Sequence, residues 1–169
     1  MMLPRVFTEG ALIVRRLLTF TILILVTLLT MEFTVAQDVP HPTLPKGAGT
    51  IDADAPKTFT TTPSGLQYRV LRKGAGANPK ATNRVKVHYH GWLDSGKVFD
   101  SSYQRGESID FGLNQVIPGW TEGMQLVGQG GMIELVIPSD LGYGKRGTPG
   151  GPIPPDATLH FLVELLDVK

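Results

Sequence analysis

Short runs in which apolar and polar side chains alternate dominate the second half of the chain. The apolar members are Leu66, Tyr68 and Val70; then Val85, Val87 and Tyr89; and, near the end, Leu159, Phe161, Val163 and Leu165. Successive side chains of an extended chain point to opposite faces, so this period of two predicts strands that each bury one face.

Further extended segments, with turns between them, complete a strand-rich pattern. Turn-forming residues at 94–97 separate the second alternating run from an extended segment at 98–102. We also expect a short strand at residues 109–111 and a buried strand at residues 132–137. Together these segments predict five or six strands.

One stretch breaks the alternation and predicts a short helix. Residues 116–120 read Val-Ile-Pro-Gly-Trp, and the helix-compatible residues 121–126 follow them. Proline suits the first turn of a helix because its missing N–H would have no partner there, so the indole of Trp120 should lie in that turn. We therefore predict an α+β fold that is mainly β, a curled antiparallel sheet of five or six strands (a half-barrel) wrapped around one short helix.

The first 36 residues have the composition of an export signal. A pair of arginines precedes an apolar run at residues 17–31, and Thr-Val-Ala at residues 34–36 offers small side chains to a signal peptidase. About 15 apolar residues fall short of the roughly 20 that span a bilayer as a helix. We interpret residues 1–36 as a signal peptide of a periplasmic or secreted protein. The alternative is an uncleaved anchor that holds the protein to a membrane with its domain outside the cytoplasm.

Residues 37–60 differ in composition from the rest of the chain. Proline recurs at positions 40, 42, 45 and 56 among Gly, Ala, Thr and Asp, too closely for a helix or a central strand. The segment has little apolar surface to bury, so we expect a mobile tether. The folded domain is then predicted for residues 61–169.

Composition and charge exclude several classes of function. The 20 Gly and 13 Pro among 169 residues favour a turn-rich architecture. From Gln37 onward 13 Lys and Arg balance 13 Asp and Glu, which indicates no surface for nucleic acid and no contact with a membrane except through an uncleaved leader. The chain has no cysteine, which excludes disulfides, thiolate metal sites and cysteine nucleophiles.

Five motifs follow one another with near-constant spacing between about Thr60 and Lys169. They are Val87-His88-Tyr89 with Gly91; Gly96-Lys97-Val98-Phe99-Asp100-Ser101-Ser102; Val116 to Gly123; Tyr143-Gly144; and Ile153-Pro154-Pro155 followed by Ala157-Thr158-Leu159 and Phe161. In this order the motifs closely resemble those of the FKBP-type peptidyl-prolyl cis-trans isomerases. The opening Thr-Pro-Ser-Gly-Leu-Gln-Tyr at residues 62–68 is similar to the exported bacterial branch of that family.

The resemblance implies an active site between the sheet and the helix. Trp120 would form the floor beneath the substrate's proline ring, and Phe99, Asp100 and Tyr143 would complete the catalytic set. The substrate-binding residues, which line the walls and rim or orient the catalytic carboxylate, would be Tyr89, Arg105, Ile109, Val116, Ile117, Ile153 and Phe161. In this arrangement Arg105 would keep Asp100 oriented and ionised, and the backbone N–H of Ile117 would hold a substrate carbonyl.

Physical chemistry is consistent with catalysis by such a site. Rotation about an X–Pro bond faces a barrier of about 18–20 kcal/mol because amide resonance must be broken. The planar amide is more charge-separated than the twisted one, so a dry aromatic pocket disfavours the ground state without making or breaking a bond. The resemblance thus implies an isomerase that speeds the folding of exported, proline-containing polypeptides and needs neither a metal nor an organic cofactor.

The candidate residues also have simpler interpretations. Taken alone, each aromatic residue could belong to the core. His88, His90 and His160 suggest a zinc site, but two histidines on one strand face without a placed third ligand are more often surface residues. A non-catalytic proline-binding chaperone or interaction module is the alternative to an enzyme, although a pure binder would not need Asp100 together with Phe99 and Tyr143.

The chain departs from the family pattern mainly at the rim of the predicted site. Ile109 stands where many members carry an aromatic residue, and Thr148 fills a flap position often held by other residue types. These changes bear on the affinity for macrolide inhibitors of the rapamycin class, and on the residue preferred before proline, more than on activity. Residues 37–60 are too short and proline-rich for the helical dimerisation arm of some bacterial members, so we expect a monomer.

Overall fold

Seven strands, two short α-helices and three single-turn 3-10 helices (Leu113–Gln115, Ser139–Leu141 and Gly144–Arg146) make up the regular structure of residues 37–169, the part of the chain that the computed structural model describes. The strands are Thr60–Thr61 (β1), Gln67–Arg72 (β2), Arg84–Leu93 (β3), Val98–Ser101 (β4), Ile109–Gly112 (β5), Met132–Ile137 (β6) and Leu159–Val168 (β7). The α-helices are Ser102–Arg105 (α1) and Pro118–Met124 (α2). Within these residues no helix is both long and apolar enough to cross a membrane, and the leader predicted for residues 1–36 lies outside the described part.

All seven strands pair antiparallel in one sheet. Six of them follow the order β1-β2-β6-β7-β3-β4, and β5 pairs with β3 beside this path. β5 pairs with residues 84–87 of β3, and β4 pairs with residues 90–92 of the same strand. The predicted fold class, a curled antiparallel sheet with a short helix, is confirmed. The described residues contain seven strands instead of five or six because the two-residue β1 adds to the six expected.

Two glycines let α2 pack closely on the inner face of the sheet, the face that carries Val85, Val87 and Tyr89. A Cβ atom on Gly119 would lie 2.5 Å from the Ile137 side chain, and one on Gly123 would lie 2.7 Å from Leu135. Because the two positions are one helical turn apart, they form a flat strip that faces β6. The buried Trp120 and Met124 project from the same helix into the main core.

The N-terminal segment (residues 37–59) packs against the outer face of the sheet, the face opposite α2. Four of its apolar side chains contact a second buried cluster formed by three residues of the sheet: Leu44, Ala48, Ile51 and Ala55 against Leu71, Met132 and Leu162. A backbone hydrogen bond of 2.8 Å from Asp52 N–H to the Leu71 carbonyl ties the segment to β2. Residues 37–169 form one compact unit that includes this segment.

This packing differs from the mobile tether that the sequence predicted for residues 37–60. Prolines exclude regular hydrogen-bonded structure, but an extended segment can still cover a surface that is apolar enough. β2 offers such a surface, since Leu71 is fully buried and Arg69 is 2% exposed although both lie on its outer face. The alternation in β2 predicted a single buried face, and the structure buries both.

The sequence also missed α1, because it predicted an extended course through Ser102. Ser101 caps this single turn by accepting a hydrogen bond of 3.4 Å from Gln104 N–H. Gly106 ends it with a φ of 75°, a left-handed conformation that suits glycine. A helix of one turn has no apolar period to reveal it, so only its caps could have indicated it.

Candidate active site

A cleft of about 460 Å³ opens between α2 and the inner face of the sheet. Its lining comes from β3, β4, β5, α2 and β7 and from the loop that precedes β7, namely Tyr89, Phe99, Asp100, Ile109, Phe111, Val116, Ile117, Trp120, Tyr143, Thr148, Pro152, Ile153 and Phe161. Most of these side chains are apolar. A cavity of this size and composition is typical of sites that bind small apolar groups.

The aromatic rings of the cleft pack edge to face around Trp120. The indole lies 5.5 Å from the Tyr89 ring, 5.1 Å from the Phe161 ring and 5.4 Å from the Phe111 ring, measured between centroids. Phe99 meets Phe161 at 5.4 Å with an interplanar angle of 84°. Edge-to-face contacts of this kind favour fixed relative orientations, so the rings form the walls of the cleft and not separate parts of the core.

One carboxylate, that of Asp100, stands at the mouth of the cleft. It accepts hydrogen bonds from the Tyr89 hydroxyl and from Nη1 of Arg105. Nη2 of Arg105 also donates to the Tyr89 hydroxyl oxygen over 2.9 Å. The three side chains therefore close a ring of hydrogen bonds in which each holds the other two.

The pKa values of this group follow from burial and from its hydrogen bonds. Burial acts to raise the pKa of Asp100, but the hydrogen bonds from Tyr89 and Arg105 outweigh it and hold the pKa below its ordinary value. Burial, together with the hydrogen bond to Asp100, raises the pKa of the Tyr89 phenol. At neutral pH Asp100 is therefore ionised and Tyr89 remains a donor.

The start of α2 presents a backbone donor to the cleft. Ile117 is the N-cap residue, and its carbonyl accepts from the N–H of Trp120 at 2.9 Å. The N–H of Ile117 itself finds no acceptor among residues 37–169. A carbonyl group of a bound peptide could accept a hydrogen bond from it.

The loop between β6 and β7 forms a flap over the cleft. The Thr148 N–H donates to the Ile153 carbonyl over 2.9 Å, and the Ile153 N–H donates to Oγ1 of Thr148 over 3.0 Å. This pair of bonds holds the buried Ile153 against the aromatic walls. Tyr143, also on the flap, stays 42% exposed at the rim.

The structure brings together the residues that the sequence predicted for the site. All of them line the cleft except Arg105, which contacts it through Asp100 and Tyr89. Phe111, Pro152 and Thr148 line the cleft but were not predicted as site residues. The alternation in β5 could have identified Phe111, because it shares a strand face with Ile109.

The three histidines that suggested a metal site have other partners. Nδ1 of His88 lies 2.9 Å from Oγ of Ser102, Nδ1 of His90 lies 3.0 Å from Oγ of Ser101, and Nε2 of His160 lies 2.6 Å from Oδ1 of Asp94. Within residues 37–169 no group of three potential ligands is placed to hold a metal ion.

Comparison with known proteins identifies related sequences and folds. Residues 76–166 match the sequence model of a family described as FKBP-type peptidyl-prolyl cis-trans isomerase. A probable FKBP-type peptidyl-prolyl cis-trans isomerase of Haemophilus influenzae is 55% identical over 113 residues, which cover 67% of this chain and 46% of the relative. The FKBP-type peptidyl-prolyl cis-trans isomerase FkpA of Escherichia coli is 54% identical over 113 residues, 67% of this chain and 41% of FkpA.

Solved structures show the same fold. The crystal structure of FkpA from Escherichia coli superposes with a TM-score of 0.63 at 54% identity and covers 66% of this chain and 51% of FkpA. The crystal structure of AtFKBP13 superposes with a TM-score of 0.61 at 38% identity and covers 66% of this chain and 98% of that protein. The chain spans less than half the length of the two curated relatives named above.

Proposed function

Because this chain belongs to the FKBP-type peptidyl-prolyl cis-trans isomerase family, we propose that it catalyses rotation about X–Pro bonds in polypeptides. The observation that carries the proposal is the cleft itself, in which edge-to-face aromatic rings surround a space with a single carboxylate at its mouth. All the residues that line the cleft lie inside the region that matches the family.

In the proposed mechanism the substrate's prolyl ring rests on the indole of Trp120, between the rings of Tyr89, Phe99 and Phe161. The N–H of Ile117 binds a substrate carbonyl and fixes one side of the amide, so that the other side can turn. A planar amide is more polar than a twisted one, and an apolar cleft solvates it poorly compared with water. The cleft therefore stabilises the twisted form relative to the planar ground state.

The required effect is moderate in energetic terms. The uncatalysed barrier is about 18–20 kcal/mol and the rotation takes tens to hundreds of seconds. Each 1.36 kcal/mol removed from the barrier is a tenfold gain, so about 6 kcal/mol brings a minute down to milliseconds. Preorganised rings and one oriented carboxylate can contribute on this scale because they need not reorganise during the reaction.

The Asp100 carboxylate and the Tyr143 hydroxyl are proposed as the two polar catalytic groups, both at the rim of the cleft. The hydrogen bonds from Tyr89 and Arg105 support the first role, because they hold the carboxylate ionised and oriented at the mouth of the cleft. The exposure of Tyr143 supports the second role, because its hydroxyl can reach a substrate that enters the cleft.

We propose further that the protein is exported and assists the folding of other exported proteins, with residues 1–36 as its leader. The sequence of the leader supports this, and similar proteins include one named outer membrane protein MIP of Legionella longbeachae. Mass spectrometry of the protein isolated from its native membrane or periplasmic fraction should find Gln37 as the first residue. A protein that still carries residues 1–36 would instead support an uncleaved membrane anchor.

An isomerisation assay on residues 37–169 tests the enzymatic proposal, with refolding or protease-coupled detection. Phe99→Ala and Asp100→Val should each lower kcat/KM by about 10- to 100-fold, equivalent to about 1.4–2.7 kcal/mol of transition-state stabilisation. Asp94→Val is the matched control, because its carboxylate is 70% exposed and lies outside the cleft.

Equal rates for the wild-type protein, Phe99→Ala and Asp100→Val would contradict catalysis. If these proteins also bound proline-containing peptides with different affinities, the result would favour a non-catalytic proline-binding module. The same cleft would then bind its ligand without turnover. Circular dichroism of each variant ensures that folded proteins are compared.

A further inference from the structure

The short helix α1 connects the mouth of the cleft with the outer face of the sheet. Positions two apart on a helix point to different sides, and Tyr103 and Arg105 are two apart. Arg105 holds Asp100 and Tyr89 at the cleft. The Tyr103 hydroxyl points away from the cleft and donates to Oε2 of Glu164 over 2.5 Å.

The carboxylate of Glu164 links four parts of the fold through hydrogen bonds. It lies on β7 and is 5% exposed. Besides the bond from Tyr103 on α1, its Oε1 accepts from Nη2 of Arg72 on β2 over 2.7 Å and from the backbone N–H of Gly49 over 3.0 Å. Gly49 belongs to the N-terminal segment, so this segment completes the set of donors around the carboxylate.

These bonds persist across neutral pH. Burial acts to raise the pKa of Glu164, but the hydrogen bonds from Tyr103, Arg72 and Gly49 lower it overall. Burial and the bond to Glu164 raise the pKa of the Tyr103 phenol. The carboxylate therefore remains an acceptor and the phenol a donor.

We propose that Tyr103 and Glu164 are positioning residues for the isomerase reaction, which fix α1 so that Arg105 orients the Asp100 carboxylate, and that the N-terminal segment supports them through Gly49. The inference rests on the proposed function and assigns a role to residues outside the cleft. The N-terminal segment becomes a part of the catalytic domain in this view, although it contributes no side chain to the cleft.

The helix α1 is only four residues long. A single helical turn is not stable by itself, because nucleation costs more than one turn of hydrogen bonds returns. Its orientation depends on side-chain anchors, of which one is Ser102, whose Oγ accepts from the Tyr89 N–H at 2.8 Å. Tyr103 is the second, held by Glu164 and by the His88 ring, which stacks on it at 4.7 Å with an interplanar angle of 19°.

Arg105 is the residue that this anchoring would affect. Its side chain is 46% exposed and has many rotamers in solution. Its contact with Asp100 depends on the direction in which α1 presents it. A small error in the placement of a group that supports a reacting site can cost considerable rate, because preorganisation is lost.

The first test removes one hydroxyl group from the full-length protein. Tyr103→Phe keeps the stacking on His88 but removes the bond to Glu164, and it should lower kcat/KM by about three- to tenfold. Tyr68→Phe is the matched control, since this partly buried tyrosine of β2 takes no part in the network and should leave kcat/KM nearly unchanged.

A double-mutant cycle distinguishes a positioning role from a general loss of stability. In an Arg105→Leu background Tyr103 has nothing left to position, so Tyr103→Phe should cause no further loss of kcat/KM. Equal losses in both backgrounds, or wild-type kcat/KM in the single variant, would overturn the proposal.

Gly49→Ala tests the contribution of the N-terminal segment. A Cβ atom there would lie 2.2 Å from Nη1 of Arg72 and 2.6 Å from Oε1 of Glu164. Both are ends of flexible side chains, so the ion pair must move while the backbone need not. We expect kcat/KM to fall about two- to fivefold, and not at all in the Arg105→Leu background. This variant carries the test alone if Tyr103→Phe does not fold.

The outcomes separate this inference from the proposed function. If the wild-type protein shows no rate above the uncatalysed reaction, the proposed function fails. If the wild-type protein is active and both Tyr103→Phe and Gly49→Ala match it, only the positioning role fails.

Discussion

At the level of single residues, the cleft depends on a missing side chain as much as on its aromatic rings. Gly91 lies on β3 behind the rings of Phe99 and Phe161. A Cβ atom there would lie 2.7 Å from the Phe99 ring and 2.8 Å from the Phe161 ring. These distances are well below van der Waals contact, so the two rings can take their places only because position 91 has no side chain.

We predict that Gly91→Ala displaces both rings and lowers kcat/KM by about tenfold or more. Overpacking of this kind should also lower the free energy of unfolding by about 1–3 kcal/mol. Adding Phe99→Leu to Gly91→Ala provides the control, because the smaller side chain leaves room for the new methyl group. The double variant should regain stability in urea denaturation, and a Gly91→Ala variant as active as wild type would contradict the explanation.

A second residue-scale prediction concerns pH. The pKa of Asp100 is lowered, so its carboxylate should protonate only below its ordinary range; the pKa of Tyr89 is raised, so its phenol should ionise only above its ordinary range. Asp100 is faced by Tyr89 of β3 and Arg105 of α1. The ring of hydrogen bonds should therefore persist, and kcat/KM should be flat, between about pH 5 and 9.

The measurement is a pH profile of kcat/KM with a substrate that does not titrate in this range. A step near pH 6–7 would show that a histidine takes part. That result would contradict the expectation that Asp100 and Tyr89 are the groups whose ionisation limits the rate.

At the level of elements, the contact between β2 and the N-terminal segment is centred on Arg69. Its side chain is 1% exposed and pairs with Glu134 of β6 at 2.7 Å. Its two terminal nitrogens donate to three carbonyls of the N-terminal segment, those of Val39, Pro40 and Lys57. The guanidinium also lies 4.5 Å above the Phe59 ring. One buried cation thus joins two strands to the segment that covers them.

We predict that Arg69→Met lowers the free energy of unfolding by about 3–5 kcal/mol, because it leaves the Glu134 carboxylate buried without its cation. It also removes the Arg69 hydrogen bonds to three carbonyls, of which that of Lys57 keeps the Val39 N–H as a donor. Urea denaturation followed by circular dichroism measures the change. Lys73→Met is the control, since the pair of Lys73 with Asp54 is largely exposed and should leave the midpoint unchanged.

The contribution of the Arg69–Glu134 pair to the free energy of unfolding should change with pH in one direction. Burial raises the pKa of Glu134 although Arg69 acts to lower it. When the pKa of a carboxyl is higher in the folded than in the unfolded state, the free energy of unfolding falls as the pH rises through the interval between the two pKa values. Arg69→Met should widen that interval, so the variant should lose more stability than the wild type as the pH rises above the ordinary pKa of a glutamate side chain. A loss that does not depend on pH would show that the missing carbonyl bonds dominate.

At the level of the whole molecule, the N-terminal segment makes its contacts with the sheet of its own chain. Its apolar side chains contact the outer face of the sheet, and its backbone accepts from Arg69 and donates to Glu164. A segment held in this way has little left to offer a second copy. The outer strands are also short, with two residues in β1 and four each in β4 and β5, which limits pairing between sheets.

We therefore predict that residues 37–169 are monomeric in solution. Analytical ultracentrifugation over a range of concentrations should give one species of the monomer mass. A dimer at micromolar concentration would contradict this, and a dimer lost on Gly49→Ala would indicate that the N-terminal segment is exchanged between copies.

The features that depend on neighbours along the chain could be predicted from the amino-acid sequence. The period of two predicted the strands and the inner face of β3, and Pro118 with Gly119 and Trp120 predicted the start of α2. The ordered motifs also predicted which aromatic residues would meet, because their spacing is typical of one family. Phe111 was missed only because it lies outside those motifs, although its alternation with Ile109 was visible.

How the outer face is covered, and where α1 lies, could be learned only from the folded structure. Whether Arg69 and Glu164 are buried depends on a segment that ends 10 residues before Arg69 and about 100 residues before Glu164, and no local period reports such a contact. Proline-rich composition predicted mobility because it removes regular hydrogen bonds, yet burial against Leu71, Met132 and Leu162 holds the N-terminal segment in place. Apolar surface is buried, and polar groups find hydrogen-bond partners, wherever the fold brings other segments close. Which segments come close is a property of the folded chain as a whole.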